Sequence, residues 1–337
     1  MYASVIHAPG DVRYEQCPDP VIERPTDAVV RTVAACVCGS DLWRYRGLEP
    51  VPAPTQIGHE FLGVVEQTGP EATAVAVGDF VVGGFTTSDG TCPLCRKGAH
   101  TNCLNKTPYL GCQAERILVH NAPGTLVRID ADPTTPLVPS LLTLSDVMCT
   151  GWHAAVCAGV GPGASVAVVG DGAVGLCAVL ASVVLGAERV IAMSRHQPRQ
   201  VIARAFGATD VIAERDQAGT QAVRDLTEGV GADAVLECVG TTGAINQAAA
   251  CVRDGGQIGV VGLPHTDLST EQLFWRNVGL RGGPAPVRAY LDRLLPLVLD
   301  GTINPGLVFD LELPLSAIAQ AYEAMDQRKA IKVLLRP

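Results

Sequence analysis

The chain has 337 residues, of which 47% are hydrophobic and 18% charged, with a formal net charge of -9. That is enough apolar material for two buried cores and too little charge for a disordered chain. The negative balance argues against a phosphate backbone as ligand, so no nucleic acid partner is expected. No apolar run reaches the roughly 18 to 20 residues that span a bilayer, and Met1 to Pro9 carries no basic segment followed by an apolar core, so a soluble, cytoplasmic protein without membrane association is expected.

Residues 1–149 are rich in valine, glycine and proline. Short apolar runs at Ala28–Ala35, Gly63–Glu66 and Asp79–Gly83, broken by turn residues, predict short strands in an irregular β domain. The pattern changes at Gly151. Gly151–Gly159 has helical composition, Ser165–Gly170 reads as a buried strand and Ala173–Leu185 as an apolar helix. The strand Arg189–Met193, the helix Arg199–Phe206, a strand around Asp210–Ile212, a helix near Ala218–Thr227 and strands at Ala234–Cys238 and Gln257–Val261 follow. Such alternation predicts an α/β fold with a parallel sheet covered on both faces. Helices near Val287–Leu299 and Leu315–Asp326 precede a tail, Ala330–Leu335, that reads as a closing strand. The expected division is 1–149, 150–283 and 284–337, with the last segment returning to the first domain.

Twelve cysteines in a long chain of this kind are expected to stay reduced. Cys17, Cys157, Cys177 and Cys251 have small or apolar neighbours and read as buried hydrophobes. Cys38, Cys92, Cys95 and Cys103 stand instead among polar residues and glycine at short spacings. Cys38-Gly39-Ser40-Asp41, followed by Gly58-His59-Glu60, supplies thiolate, imidazole and carboxylate, donors suited to zinc. Cys38 and His59 are the expected ligands, and a catalytic site needs a third.

Gly170-Asp171-Gly172-Ala173-Val174-Gly175 fits G-x-G-x-x-G directly after a strand and at the mouth of a helix. There the glycines allow a tight turn, close approach of a pyrophosphate and close helix–strand packing, and the helix N-terminus supplies free N–H groups. At the end of the next strand, where an NAD-binding chain places a carboxylate for the ribose 2′-hydroxyl, this chain has Met193-Ser194-Arg195-His196, with Arg199 close behind. A hydroxyl beside arginines suits the 2′-phosphate of NADP(H). Ser194 and Arg195 are the expected principal contacts, with His196 and Arg199 beside them; the alternative is that these arginines only solvate the strand end.

Gly58-His59-Glu60 with Gly63, Gly69 and Ala72, then Val77-Gly78-Asp79, then the glycine loop at its expected distance, together resemble the zinc-dependent medium-chain alcohol dehydrogenase family over essentially the whole chain. The resemblance implies a GroES-like catalytic domain joined to a Rossmann domain. It also implies hydride transfer between a nicotinamide cofactor and an alcohol or carbonyl substrate, and association into homodimers or homotetramers. Leu144-Ser145-Asp146-Val147-Met148-Cys149-Thr150-Gly151-Trp152-His153 resembles the family's aspartate-type stretch, which makes Asp146 the third catalytic ligand, with Cys149 as its competitor. By the same resemblance Glu60 is a conditional ligand during exchange, Asp41 orients the His59 imidazole, and Ser40 begins the proton relay. Trp43 stands where the relay's histidine usually does. The segment from Asp89 through Cys92, Cys95 and Cys103 resembles the structural zinc lobe C-x₂-C-x₂-C-x₇-C with aspartate in the first place; carboxylate is an acceptable zinc donor, and His100 lies inside the long spacing as a substitute.

Trp43, with Phe85, Tyr109 and Trp152 as companions, reads as a substrate-pocket wall, which favours small to medium hydrophobic alcohols and ketones. The expected function is thus an NADP-dependent zinc alcohol dehydrogenase or carbonyl reductase, with secondary alcohols favoured by the aspartate-type site. Two alternatives stay open: a polyol, amino-alcohol or formaldehyde dehydrogenase, and a non-catalytic NADPH-binding regulator.

Overall fold

A computed structural model describes residues 1–109, 111–263 and 269–337. The chain forms two compact units, residues 1–146 with 286–337 and residues 147–285, so the divisions fall at 146/147 and 285/286 rather than at 149/150 and 283/284.

In the first unit the elements are β1 (Tyr2–Ala8), β2 (Asp11–Gln16), β3 (Ala28–Cys36), α1 (Asp41–Tyr45), β4 (Thr55–Gln56), β5 (Phe61–Thr68), β6 (Phe80–Gly83), β7 (Arg116–Val119), α2 (Ala122–Thr125), β8 (Leu126–Arg128) and α3 (Val138–Thr143). The second unit holds α4 (Val147–Cys157), β9 (Ser165–Val169), α5 (Ala173–Val184), β10 (Arg189–Met193), α6 (Gln197–Ala205), β11 (Asp210–Ile212), α7 (Asp216–Asp225), β12 (Ala232–Glu237), α8 (Thr242–Cys251), β13 (Val252–Val260), α9 (Thr270–Phe274) and β14 (Gly279–Gly282). The chain then returns to the first unit with α10 (Val287–Leu299), β15 (Leu311–Pro314), α11 (Ile318–Asp326) and β16 (Val333–Arg336).

The first unit is built on a seven-stranded sheet in the order β15-β16-β3-β5-β6-β8, with β7 also paired to β3, and on a small sheet β2-β1-β4. Its strands are short because glycine and proline interrupt them, and the register slips twice between β3 and β5. One face carries Val30, Phe61, Val65, Val81, Ile117 and Leu126 as a core. A second core joins Val37 and Leu42 to Ile318, Tyr322, Val333 and Leu335, residues from the far end of the chain. The expected closing strand is β16, antiparallel to β3 with Leu334 opposite Cys36.

The second unit is a six-stranded parallel sheet in the order β11-β10-β9-β12-β13-β14, the doubly wound arrangement in which the strand order reverses beside β9. β9 is a continuous apolar run because helices cover both faces of such a sheet, and Val166, Ala167 and Val168 are fully buried. α8, α9 and β14 are not among the elements expected from the sequence. The signal for α8 was present: Thr241 caps it, its hydroxyl accepting from the Ala244 N–H at 3.4 Å, and four alanines follow. β14, Gly279-Leu280-Arg281-Gly282, has no β-branched residue to announce a strand. Cys157, Cys177 and Cys251 are buried as expected, but Cys17 is only partly so, because it follows β2 at the edge of the small sheet.

Gly175 closes the turn between β9 and α5: a Cβ there would lie 2.0 Å from the Gly170 carbonyl oxygen. Gly175→Ala is therefore expected to cost about 1–3 kcal/mol through forced backbone movement, read as a lower thermal midpoint with unchanged far-UV circular dichroism.

Candidate functional site

Four donors converge in the first unit. Cys38 follows the end of β3, His59 and Glu60 lead into β5, and Asp146 sits in the turn after α3. One ligand atom from each lies within 4.8 Å of all the others. Cys38 Sγ is 3.6 Å from Asp146 Oδ2, and His59 Nε2 is 3.4 Å from the same oxygen. Zinc held at about 2.0–2.3 Å by sulfur, nitrogen and oxygen has donor–donor edges of roughly 3.3–3.8 Å in a tetrahedron, and both separations from Asp146 fall in that range. Burial pushes the Cys38 thiol pKa up, and the Asp146 carboxylate adds to the effect; a cation among the donors relieves both. Cys149 is not a member of this donor group.

A buried hydrogen-bond chain holds the imidazole. Asp41 Oδ1 lies 3.3 Å from His59 Nδ1, while Oδ2 accepts from the Cys38 N–H at 3.0 Å. Gln113, fully buried, donates from Nε2 to the Cys36 carbonyl at 3.0 Å and to Asp41 Oδ2 at 3.3 Å, and the Tyr322 hydroxyl donates to its Oε1 at 3.2 Å. Gly58, at φ +95°, leaves room for Gln113: a Cβ would come within 2.5 Å of that side chain. Such outer partners fix the tautomer and direction of a metal-binding histidine.

Glu60 is fully buried and its Oε1 meets Lys332 Nζ at 2.6 Å; Lys332 also donates to the Val37 carbonyl. Burial works against the ammonium, but the acidic groups around it, Cys36 and Glu60, hold its pKa well above the usual lysine range. Glu60 Oε2 has no hydrogen-bond partner, which leaves one buried lone-pair site beside the other three donors. Ser40 precedes α1 as its N-cap yet makes no side-chain capping bond. The Phe85 ring meets His59 edge-on with centroids 6.4 Å apart, Trp43 on α1 is half-buried, and Tyr109 donates to the Gly84 carbonyl at 2.8 Å while packing edge-on against Phe61. Trp152, on α4, is 1% exposed, as a packing residue would be.

The second donor group is Asp89, Cys92, Cys95 and Cys103, also with ligand atoms within 4.8 Å of one another; His100 is not in it. Asp89 Oδ1 accepts from the N–H groups of Thr91 and Cys92 at 2.8 and 2.9 Å, and Asn105 donates to Oδ2 at 2.7 Å. N–H groups also face the sulfurs: Asp89 and Asn105 toward Cys103, each at 3.3 Å, and Cys95 toward Cys92 at 3.4 Å. The thiol of Cys92 is pushed down to about 7, first by the Leu104 N–H and then by that of Cys95. One carboxylate and three cysteine sulfurs in a knuckle of backbone donors match a closed zinc site.

In the second unit the glycine loop fits a dinucleotide. Gly170 takes φ +120°, and a Cβ on Gly172 would meet nothing within 4 Å, so the backbone there is open to a ligand. Gly172 is the N-cap of α5 and no side chain caps that helix, so its first N–H groups face outward with Ala173 and Val174 in the first turn. At the end of β10, Ser194 is buried, Arg195 exposed, and His196 the N-cap of α6. Sequence reasoning missed two residues here. Arg215 donates to the Met193 carbonyl at 2.9 Å and lies near enough to Arg195 for their charges to repel. Asp171, inside the glycine motif itself, accepts from the Ser194 hydroxyl at 2.9 Å and from Arg199 at 3.1 Å. Burial opposes its charge, but Ser194 and Arg199 outweigh burial and hold its carboxyl below the usual range.

Residues 24–130 match the family model for an alcohol dehydrogenase GroES-like domain, and residues 173–286 match that for a zinc-binding dehydrogenase. A probable zinc-binding alcohol dehydrogenase of Mycobacterium tuberculosis is 34% identical over an alignment that covers 100% of this chain and 89% of the relative. Zinc-type alcohol dehydrogenase B of Aspergillus flavus is 31% identical, covering 100% and 81%. Among solved structures, alcohol dehydrogenase TADH from Thermus sp. ATN1 is 32% identical, covers 100% of this chain and 99% of its own, and superposes with a TM-score of 0.92. No helix among the described residues is long and apolar enough to cross a membrane.

If both donor groups hold zinc, elemental analysis is expected to give two zinc ions per chain, falling to one in Cys103→Ala. Tyr322→Phe and Gln113→Leu, which loosen Asp41 without touching a ligand, are expected to lower zinc affinity at the other centre by about 10-fold to 100-fold in chelator competition.

Proposed function

The chain belongs to the zinc-dependent medium-chain alcohol dehydrogenase family, and from that membership we propose an NADP(H)-dependent enzyme that interconverts small to medium hydrophobic alcohols, secondary ones preferred, with their ketones or aldehydes. The observation that carries the reading is the trio Cys38, His59 and Asp146, with Asp146 Oδ2 at 3.6 Å from the sulfur and 3.4 Å from the imidazole Nε2, and with Ser40 two residues beyond the thiol.

Zinc held there supplies Lewis acidity toward the substrate oxygen, and the nicotinamide supplies the hydride. The residues do the rest. Asp41 keeps the His59 Nδ1 proton and so leaves Nε2 as the donor atom. The Ser40 hydroxyl, unused by its helix, accepts the proton of the alcohol hydroxyl and passes its own toward water. Trp43 stands two residues beyond Asp41 in place of an ionisable group, so it cannot take the proton on from Ser40. Phe85 and Trp43 present apolar surface to the substrate, which favours alkyl and aryl substituents over polyols. Arg195, Arg199 and Arg215 around the end of β10 support NADP(H) over NAD(H), since a 2′-phosphate gains charge-assisted hydrogen bonds from guanidinium groups.

A spectrophotometric screen of alcohols and ketones with both cofactors tests the proposal. Turnover of secondary alcohols with NADP(H) at a kcat/KM at least about tenfold above that with NAD(H) is expected; the reverse preference refutes the cofactor reading, and Cys38→Ala with full zinc and activity refutes the site. Ser40→Ala should lower kcat by about 10²-fold at unchanged zinc content, a loss typical of removing a positioned proton-transfer group.

A further inference from the structure

We propose that Asp171, between the first two glycines of the dinucleotide loop, sets how strongly the protein discriminates a phosphorylated from a free ribose 2′ position. The inference shares with the NADP(H) reading the placement of the adenosine ribose at the end of β10.

The carboxylate is not used by its own helix, since the N-cap of α5 is Gly172 and no side chain caps that helix. It is turned instead toward β10, where Oδ2 accepts from the Ser194 hydroxyl at 2.9 Å and Oδ1 from Arg199 Nη1 at 3.1 Å. Arg199 also donates to the Asp171 carbonyl at 3.3 Å. Two of the groups expected to receive a 2′-phosphate are therefore already engaged by an internal anion. Both Asp171 and Arg199 side chains are only 14% exposed, so solvent screens their interaction weakly.

A ribose 2′-hydroxyl can donate to a carboxylate, whose oxygens accept more than one hydrogen bond, and leaves the Ser194 and Arg199 bonds in place. A phosphate has only acceptors at its ionised oxygens. To bind, it must draw the single Ser194 hydroxyl proton away from Asp171 and share the Arg199 guanidinium with it, and it then places a near-dianion next to a carboxylate. Against that stand Arg195, which is exposed and has no ion-pair partner among the described residues, and Arg215, which is bonded to the Met193 carbonyl rather than to Asp171. Two guanidinium groups thus favour the phosphate and one carboxylate opposes it. Asp171 consequently holds the preference for NADP(H) below what the arginines alone would give, and keeps NAD(H) a usable cofactor.

Calorimetric titration of the full chain with 5′-AMP and with 2′,5′-ADP measures this without turnover. Asp171→Asn, with Asp171→Ser as a second uncharged form, is expected to improve the ratio of 2′,5′-ADP to 5′-AMP affinity by about tenfold, the size of one carboxylate–phosphate repulsion in a partly screened site. Arg199→Leu, which leaves the Asp171 charge unbalanced, should move the ratio the other way by a similar factor. A ratio unchanged in both uncharged variants, or shifted toward 5′-AMP, overturns the proposal, since a carboxylate that merely stabilises the loop affects both ligands alike. If the parent chain binds 5′-AMP more tightly while Asp171→Asn still moves the ratio, the NADP(H) reading fails and the role of Asp171 stands. If the parent favours 2′,5′-ADP and the ratio does not move, the role of Asp171 fails alone.

Discussion

The pairing of β16 with β3 joins the last strand to the strand that delivers Cys38, and the donor group around Cys38 depends on it. With Leu334 opposite Cys36, the segment just before β16 runs beneath the donor group and brings Lys332 to Glu60 at 2.6 Å. Both side chains are essentially without solvent, at 1% and 0% exposure. A lone buried carboxylate is costly, and three of them, Asp41, Glu60 and Asp146, lie around one imidazole. One ammonium from the far end of the sequence balances part of that charge, and removal of either partner of such a pair typically costs about 3–5 kcal/mol. The long return of the chain to the first unit is therefore an electrostatic requirement of the site as well as a way to close the sheet.

The same return brings α11 against α1. Tyr322 and Leu42 share one core, and the Tyr322 hydroxyl ends the chain of hydrogen bonds that runs through Gln113 to Asp41 and His59. The orientation of the Gln113 amide follows from its partners: the Cys36 carbonyl needs a donor, which places Nε2 there and Oε1 toward the tyrosine hydroxyl. Packing of apolar residues and alignment of the imidazole are thus carried by one helix. Gly58 is needed for neither charge nor chemistry, but for its φ of +95° and because Gln113 occupies the space a side chain would take.

What could be read from the residues alone follows from how local each signal is. The Cys38 and Gly58-His59-Glu60 stretches and the glycine loop are short motifs whose chemistry travels with their spacing, Asp146 and the Asp89 to Cys103 lobe entered through the family resemblance, and the parallel sheet is written in buried apolar runs such as Val166–Val169. Lys332, Gln113 and Tyr322 act across 272, 72 and 209 residues of sequence, and no local pattern marks them. Lys332 did leave a trace, as a lone charge within the apolar tail Ala330–Leu335. Asp171 lies within the glycine motif, but x in G-x-G-x-x-G is a free position and carries no signal; its partner Ser194 lies 23 residues away, just past the end of the neighbouring parallel strand β10.

Both donor groups place a carboxylate where sulfur could serve, and the two substitutions have different consequences. In the group of Cys38, His59 and Asp146, a carboxylate in place of a second thiolate leaves the donor charge at two negative with neutral His59, and a harder oxygen donor would give less electron density than sulfur to a zinc held there, leaving it a stronger Lewis acid. At the other centre no Lewis acidity is needed. There Asp89 is held by the N–H groups of Thr91 and Cys92 and by Asn105, so the oxygen is fixed in direction before any metal arrives. A thiolate accepts such bonds weakly and over longer distances, as the 3.3 to 3.4 Å contacts to Cys103 and Cys92 illustrate. The carboxylate thus trades the softer, stronger zinc bond of sulfur for a donor that the loop itself aims, and the loop sequence Asp89-Gly90-Thr91-Cys92, with Gly90 at φ +70°, is what allows that aim.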